Sequence, residues 1–307
     1  MLTLFTTAKA FEGHSGMIQR NALQSWKLLG PDVEVILFGD DRGAAEVCTE
    51  LGLRHEARVE RHESGMKYAN YIFDRAQEIA RHDVLCYLNC DIVQGPDFCA
   101  AVEQVRSAKK EFLMVGRRWD TDITEPIQFD NSAWLDNARK KAQAANFQRD
   151  EWFIDYFVFR RGFYAGRIPN LVIGRVYWDN WLLWHANSRG AAVIDASSEV
   201  LAIHQNHDYG YHKQGKAGVW NDALAQRNLE LAGGTRHLHS MRDAKYILTG
   251  AGVRKKSLIE RLMGSGRAGW RNRVWHPFLG WTRPVRHAIG LQAGTASQRP
   301  PRSEKKV

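Results

Sequence analysis

The segment Val84-Leu85-Cys86-Tyr87-Leu88-Asn89-Cys90-Asp91 decides the fold class of this 307-residue chain. Its first five residues are an apolar run that predicts a buried strand, and the polar residues after them end it. Similar runs occur at residues 2–6 and 33–39, and each is followed by a stretch with helical spacing of apolar residues. Strands that alternate with helices predict β-α-β units, so we expect an α/β protein with a mostly parallel sheet flanked by helices.

Polar side chains follow each of these three predicted strands. Thr6 and Thr7 end the first, Asp40 follows the second, and Asn89 and Asp91 follow the third. Ligands bind at the carboxyl ends of the strands in such sheets. A carboxylate at this edge can hold Mg²⁺ or Mn²⁺, which take oxygen ligands and often share them with phosphate. The alternative is an aspartate that only forms a turn or caps a helix.

Several later segments resemble those of GT-A fold glycosyltransferases, the nucleotide-diphospho-sugar transferases. Asn89-Cys90-Asp91 stands where the family has Asp-x-Asp, and residues 174–181 resemble its glycine-to-Glu-Asp region. A bacterial group of such enzymes shares the runs that begin here at Asp155, Trp178 and His204. The resemblance covers most of residues 1–250 and implies a GT-A-like, Rossmann-type sheet.

The resemblance implies a donor site for a nucleotide sugar, with Thr6, Thr7 and Asp40 holding the nucleoside. Asp91 would ligate a metal ion that bridges the two phosphates. Lys67, at the start of a helix predicted over residues 66–81, approaches the diphosphate or is a solvated helix lysine. Asn89 departs from the family's first aspartate, so metal affinity is lower, or this residue touches only the ribose.

A histidine late in the chain completes the metal site in several relatives, which implies that His204 or His207 is a ligand. Both lie in a run predicted to be a loop, and hydrogen-bonded loop histidines are the alternative.

Catalysis is assigned to the run Trp178-Asp179-Asn180-Trp181 at a predicted helix start. Asp179 is the candidate base that takes a proton from the acceptor hydroxyl, and Trp178 and Trp181 are candidates to bind the acceptor sugar. The alternative is that Asp179 caps the helix and the tryptophans belong to the core. Asp155 is expected to bind the acceptor or to be structural.

Arg117-Arg118-Trp119-Asp120 follows another predicted strand. It either receives a phosphate or an acidic acceptor on its planar guanidinium groups, or forms an Arg–Asp pair in a surface loop.

The predicted function is a metal-assisted, hexosyltransferase-type glycosyltransferase of polysaccharide biosynthesis. It would use Mn²⁺ or Mg²⁺ to move a sugar from a UDP- or GDP-sugar to a glycan or lipid-linked acceptor. A sugar-phosphate nucleotidyltransferase is the closest alternative, although residues 7–13 match its glycine-rich phosphate loop poorly. A non-catalytic protein that docks on membrane or nucleic acid is the other alternative.

The net charge of +9 belongs to the C-terminal part of the chain. Residues 254–307 hold thirteen Lys and Arg against two acids, which leaves 30 bases and 32 acids before them. We therefore predict a transferase domain over residues 1–250 and a basic, aromatic-containing, partly disordered extension over 251–307.

Tryptophans and bases together in this extension favour the inner face of the cytoplasmic membrane, while nucleic acid is an unlikely partner. A solvated tail is the alternative. Because there is neither a long apolar run nor a basic leader, the sequence predicts a cytoplasmic protein, peripheral at that membrane if the extension binds it.

Overall fold

The structure is a computed structural model that describes residues 1–145, 147–208 and 215–263. Its strands are β1 (Leu2–Thr7), β2 (Val33–Phe38), β3 (Arg54–Glu56), β4 (Val84–Leu88), β5 (Ile92–Val93), β6 (Phe112–Val115), β7 (Arg118–Thr121), β8 (Tyr156–Arg160), β9 (Ala192–Asp195), β10 (Ala202–Gln205), β11 (Tyr246–Thr249) and β12 (Gly252–Lys255). Its helices are α1 (Gly13–Lys27), α2 (Ala44–Leu51), α3 (Ala69–Ile79), α4 (Pro96–Ala108), α5 (Trp134–Ala145), α6 (Trp178–Ser188), α7 (Gly215–Asn221), α8 (Ala223–Leu231) and α9 (Leu258–Met263).

The main sheet has nine strands in the order β12-β11-β9-β6-β8-β4-β1-β2-β3. Most neighbouring pairs are parallel. Two strands run against the rest: β8, which lies between β4 and β6, and β12 at the edge. The mostly parallel α/β sheet predicted from the alternation of strands and helices is confirmed.

Side chains that alternate along the central strands feed two separate cores, one on each face of the sheet. Leu4 points into the core formed with Trp26 of α1 and with residues of α2 and α4. Phe5 points into the opposite core, which contains Phe73 of α3 and residues of α6. The predicted helices on both faces are therefore present.

A second, three-stranded sheet has the order β5-β10-β7. Its middle strand β10 runs antiparallel to β5 and parallel to β7, and the register sets His204 opposite Asp120. Ala138 and Ala142 of α5 pack against Ile203 of this sheet. The prediction of a loop at residues 204–209 is wrong for His204 and Gln205, which belong to β10. The reason is that β10 is held by partner strands that are distant in sequence.

The first compact unit of the chain runs from Met1 to Leu262. It includes β12, and just after this strand the buried amine of Lys256 pairs with Asp195 at 3.2 Å. The main sheet thus continues past residue 250, while the predicted boundary at that residue stays a prediction. The basic extension beyond Met263 lies outside the described residues.

Within the described part of the chain, no helix is both long enough and apolar enough to cross a membrane.

Candidate metal and catalytic site

Asp91 lies in the turn between β4 and β5, beside the small sheet. Gln205 of β10 fixes its backbone, since both the main-chain N–H and the side-chain amide of Gln205 donate to the carbonyl of Asp91, each at 3.1 Å. Asn21 of α1 in turn donates to the side-chain carbonyl of Gln205 at 2.9 Å. The position of Asp91 is therefore set by three elements that are far apart in sequence.

Two histidines converge on the carboxylate of Asp91. Its Oδ2 lies 3.2 Å from Nε2 of His207 and 3.7 Å from Nε2 of His204. One ligand atom from each of the three residues lies within 4.8 Å of the others. The second oxygen of Asp91, Oδ1, is buried and has no hydrogen-bond partner among the described residues. We refer to Asp91, His204 and His207 as the metal trio.

Both imidazoles present the same nitrogen to Asp91, because Nδ1 of each ring faces an acceptor. Nδ1 of His207 lies 2.7 Å from the carbonyl oxygen of Asp208, and Nδ1 of His204 lies 3.3 Å from Oδ1 of Asp120. A carbonyl and a carboxylate can only accept, so we infer that Nδ1 of each ring carries a hydrogen. Nε2 is the nitrogen directed at Asp91, to which it can donate, or at a cation, to which it would offer its lone pair.

The trio is electrostatically suited to a cation. Burial works to raise the pKa of Asp91, but the charge of His204, the hydrogen bond from His207 and the charge of Arg118 outweigh it and hold the pKa well below the usual value. The hydrogen bond to Asp91 raises the pKa of His207. One carboxylate and two imidazoles suit Mn²⁺ better than Mg²⁺, which prefers oxygen ligands.

Arg118 and Asp120 of β7 form a buried layer behind the trio. Arg118 Nε donates to Asp120 Oδ1 at 2.9 Å, and Arg149 Nε donates to its Oδ2 at 2.5 Å. Burial opposes ionisation of Asp120, yet the contact with His204 and the arginine charges lower its pKa to about 2. Arg118 is thus occupied within the fold. The predicted Arg–Asp pair is present, but it is buried and does not lie in a surface loop.

Asn89 is bound to Asp155 by its side chain and by its backbone. Its side-chain amide donates to Asp155 Oδ1 at 2.6 Å, and its backbone N–H donates to the Asp155 carbonyl at 2.9 Å. Arg118 Nη1 donates to both carboxylate oxygens of Asp155 at 3.0 Å. Asp155 is therefore a buried carboxylate held from two sides. Asn89, in the first position of the expected motif, serves to hold it.

Asp179 is the second residue of α6, and it follows a strained turn. Tyr177 at the N-cap has a φ of 85°, a left-handed conformation that is rare for a residue with a side chain. The carboxylate of Asp179 is partly buried, and its Oδ1 has no hydrogen-bond partner among the described residues. Burial raises the pKa of Asp179 to about 7; nearby Asp155 adds to this, while backbone N–H groups of the helix start oppose it.

The two tryptophans beside Asp179 belong to the core. Trp178 is 6% exposed and its ring lies 5.1 Å from that of Tyr87, while Trp181 is 4% exposed and stacks on His185 at 4.9 Å. Their indole faces are covered by the protein, so the expectation that they bind an acceptor sugar is corrected. They anchor α6 to the sheet, which is the alternative noted from the sequence.

The residues expected at the nucleoside lie at the carboxyl ends of β1 and β2. Thr6 is buried and its hydroxyl donates to the carbonyl of Thr7 at 3.3 Å. The Asp40 side chain is 71% exposed and pairs with Arg61 at 2.5 Å. Both residues thus lie at the edge of the sheet where they are expected.

Lys67 is buried and does not open a helix, since α3 begins at Ala69. Its amine donates to the carbonyl of Ala8 at 2.6 Å and pairs with Asp41. The reading of Lys67 as a solvated helix lysine is therefore wrong. Asp41, the partner of Lys67, is not among the residues expected at the donor site, although it stands next to Asp40 in the sequence.

No protein-family model matches the chain, and no curated protein matches its sequence. Among solved structures, glucosyl-3-phosphoglycerate synthase from Mycobacterium tuberculosis in complex with Mg²⁺ and uridine diphosphate is similar at 14% identity, over 76% of this chain and 80% of that chain, with a TM-score of 0.47. Its complex with Mn²⁺, UDP-glucose and phosphoglyceric acid matches at 13% identity with the same coverage and TM-score.

S. aureus TarS in complex with UDP-GlcNAc is similar at 10% identity over 39% of this chain and 35% of that chain, with a TM-score of 0.31. Such low identities and TM-scores below 0.5 do not carry an activity from those proteins to this chain.

Proposed function

We propose that the chain is a metal-dependent GT-A glycosyltransferase that moves a sugar from a nucleotide-diphosphate donor to an acceptor hydroxyl. The observation that carries the proposal is the metal trio at the carboxyl end of β4, with a second carboxylate of raised pKa, Asp179, near the adjoining Asp155. A cation site and a proton-accepting group are the two parts that a metal-dependent, inverting transfer uses.

The residues of the trio fit a divalent cation. The donors that would hold it are the two inward Nε2 atoms and Oδ1 of Asp91, which has no hydrogen-bond partner in the described part of the chain. When bound, Mn²⁺ or Mg²⁺ supplies charge neutralisation for the departing diphosphate. The same donor set holds Fe²⁺ in non-haem oxygenases, so the choice of metal needs its own measurement.

Asp179 is suited to accept the proton of the acceptor hydroxyl in an inverting reaction. With a pKa of about 7 it is partly ionised at neutral pH, and no hydrogen bond within the described residues occupies its Oδ1. A general base is most efficient when its pKa lies near the working pH. Asp155 sustains this property through its negative charge, so we propose for it a structural and electrostatic role beside the acceptor.

For the donor, we propose that Thr6, Thr7 and Asp40 contact the nucleoside and that Lys67 contacts the diphosphate. Their support is their position at the edge where ligands of such sheets bind. Lys67 already pairs with a carboxylate, Asp41, which a phosphate oxygen would replace or join. A UDP- or GDP-hexose is the proposed donor, and a glycan or lipid-linked sugar is the proposed acceptor.

The decisive experiment measures binding and hydrolysis of a panel of UDP- and GDP-sugars by the full chain with Mn²⁺, Mg²⁺, Fe²⁺ or no metal. We expect metal-dependent binding of at least one donor and slow release of its nucleoside diphosphate. Binding of a nucleoside triphosphate with release of pyrophosphate from a sugar phosphate would instead identify a nucleotidyltransferase. A chain that binds no nucleotide sugar with any metal contradicts the proposal.

We further propose that the basic extension holds the enzyme at the inner face of the cytoplasmic membrane. The support is its composition, since basic residues near an anionic leaflet contribute about 1 kcal/mol each before screening. Truncation after Met263 keeps β12 and tests this directly. We expect the full chain, and not the truncated one, to sediment with phosphatidylserine vesicles at moderate salt. Equal sedimentation of the full and the truncated chain, or sedimentation of neither, contradicts this proposal.

A further inference from the structure

We infer that Asp120 is a positioning residue of the metal site, which holds His204 in the tautomer and orientation that direct Nε2 toward Asp91. This rests on the metal site in the proposed function and does not depend on which sugar is transferred. Asp120 would not touch the ion or the substrate. It would act through the imidazole of His204, which lies between Asp120 and the metal position.

The geometry of the small sheet makes this contact. β7 and β10 run parallel with Asp120 directly opposite His204, and Asp120 Oδ1 lies 3.3 Å from Nδ1 of His204. This contact does not have the geometry of a hydrogen bond, and no other partner among the described residues satisfies Nδ1. His204 is 5% exposed, so water has little access to the ring. The carboxylate of Asp120, at 3.3 Å, is thus an acceptor placed to take up the hydrogen of Nδ1.

Asp120 remains a charged acceptor although two arginines bind it. Arg118 occupies one carboxylate oxygen and Arg149 the other, and an ionised carboxylate has lone pairs for several donors. Because it accepts only, it favours a hydrogen on Nδ1 of His204 and so leaves Nε2 as the nitrogen that can bind a cation. Histidines that bind metals almost always donate their other N–H to such a partner, which orients the ring and raises its basicity.

His207 provides the internal contrast. Its Nδ1 faces a backbone carbonyl, that of Asp208, which no substitution of a side chain removes. The trio therefore has one histidine oriented by the main chain and one oriented by a replaceable side chain. Changing Asp120 should disturb only the second.

The test titrates Mn²⁺ into wild type, Asp120→Ala and Asp120→Asn, following free Mn²⁺ by electron paramagnetic resonance without any nucleotide. Loss of a residue behind a metal ligand typically lowers metal affinity by 10- to 100-fold. We expect that loss in Asp120→Ala and a smaller one in Asp120→Asn, whose amide oxygen still accepts. The ¹⁵N shifts of His204 in the metal-free protein should change from the Nδ1–H tautomer in wild type to a mixture in Asp120→Ala.

Arg149→Gln is the matched control, because it removes one clamp on Asp120 and leaves the acceptor in place. It should keep the His204 tautomer and bind Mn²⁺ within about threefold of wild type. Equal losses in Arg149→Gln and Asp120→Ala would show that the cluster is only structural and would overturn the inference, as would unchanged affinity and tautomer in Asp120→Ala. If that variant does not fold, Asp120→Asn decides by the same two measurements. A wild-type chain that binds no Mn²⁺ refutes the proposed metal site itself.

Discussion

Asp91 and Asp179 are aspartates near the same end of the sheet, and their surroundings drive them in opposite directions. Asp91 faces two histidines and Arg118, which hold its pKa well below the usual value despite burial. Around Asp179, burial together with the charge of Asp155 raises the pKa to about 7, and backbone N–H groups oppose this only in part. Environments that separate the pKa values of two carboxylates also separate their roles: one remains an anion for a cation, and the other exchanges a proton near neutral pH.

The strongest way to break this contrast is Asp91→Ala. We expect Mn²⁺-dependent binding of the nucleotide sugar to fall to background, a larger effect than the 10- to 100-fold typical of residues behind the ligands. Titration calorimetry with and without Mn²⁺ measures it. Asp83→Ala, which removes an exposed carboxylate at the opposite end of β4, is the control and should bind as wild type does. Unchanged affinity in Asp91→Ala would remove Asp91 from the site.

Asp179→Asn tests the other half of the contrast. Because a general base contributes about 10²- to 10⁴-fold in rate, turnover should fall by that order while donor affinity stays nearly constant. Steady-state kinetics and calorimetry on the same preparation separate the two quantities. Turnover within a few fold of wild type would make Asp179 a structural residue of α6.

The pH dependence of turnover should show which carboxylate governs the rate. If ionised Asp179 is the active form, turnover rises about tenfold per pH unit below pH 7 and levels off above it. Asp155→Asn removes a negative charge that disfavours this ionisation, so the break in the profile should move to lower pH. A break that stays in place, or moves upward, contradicts the assignment.

The smallest expected effect is on stability. The folded state raises the pKa of Asp179 above the ordinary 3.8, so ionising it in the fold costs free energy of unfolding as pH rises from about 4 to beyond 7. Asp179→Asn should therefore unfold at a higher temperature than wild type at pH 8 and at the same temperature near pH 4. Each kcal/mol corresponds to roughly 2–4 °C in a domain of this size. Calorimetric scans at the two pH values measure it, and a variant less stable than wild type at pH 8 contradicts the expected cost.

The main sheet could be predicted because several of its strands are visible in the sequence as short apolar runs. The apolar run at residues 84–88 coincides with β4, and the runs near residues 33 and 112 give β2 and β6 within a residue or so. The small sheet could not be predicted from the sequence. Its strands β7 and β10 have only four residues each, and their paired residues lie more than eighty positions apart in the chain. That pairing creates the contact between Asp120 and His204, so no local pattern could reveal it.

The spacing of apolar residues in α6 argues against the expectation that Trp178 and Trp181 bind an acceptor sugar. Trp181, Leu182 and Ala186 follow Trp178 by three, four and eight residues. This spacing places all four side chains on one face of a helix. All four are buried in the core against the sheet. Asp179 lies just off that stripe, so the sequence distinguishes it from the core residues, although its raised pKa depends on burial that the sequence does not show.

The antiparallel strand β8 has a consequence for how the chain is made. In the described sheet β4 has β1 on one side and β8 on the other, and β6 reaches β4 only through β8. During synthesis, β4 therefore presents an apolar, unpaired edge from the time it emerges until residues 156–160 follow. At about 5–20 residues per second, that interval is roughly 4–14 s, in which an open strand edge is exposed to other nascent chains. Residues 156–160, which form β8 in the centre of the sheet, thus also end the period in which the edge of β4 is open to other chains.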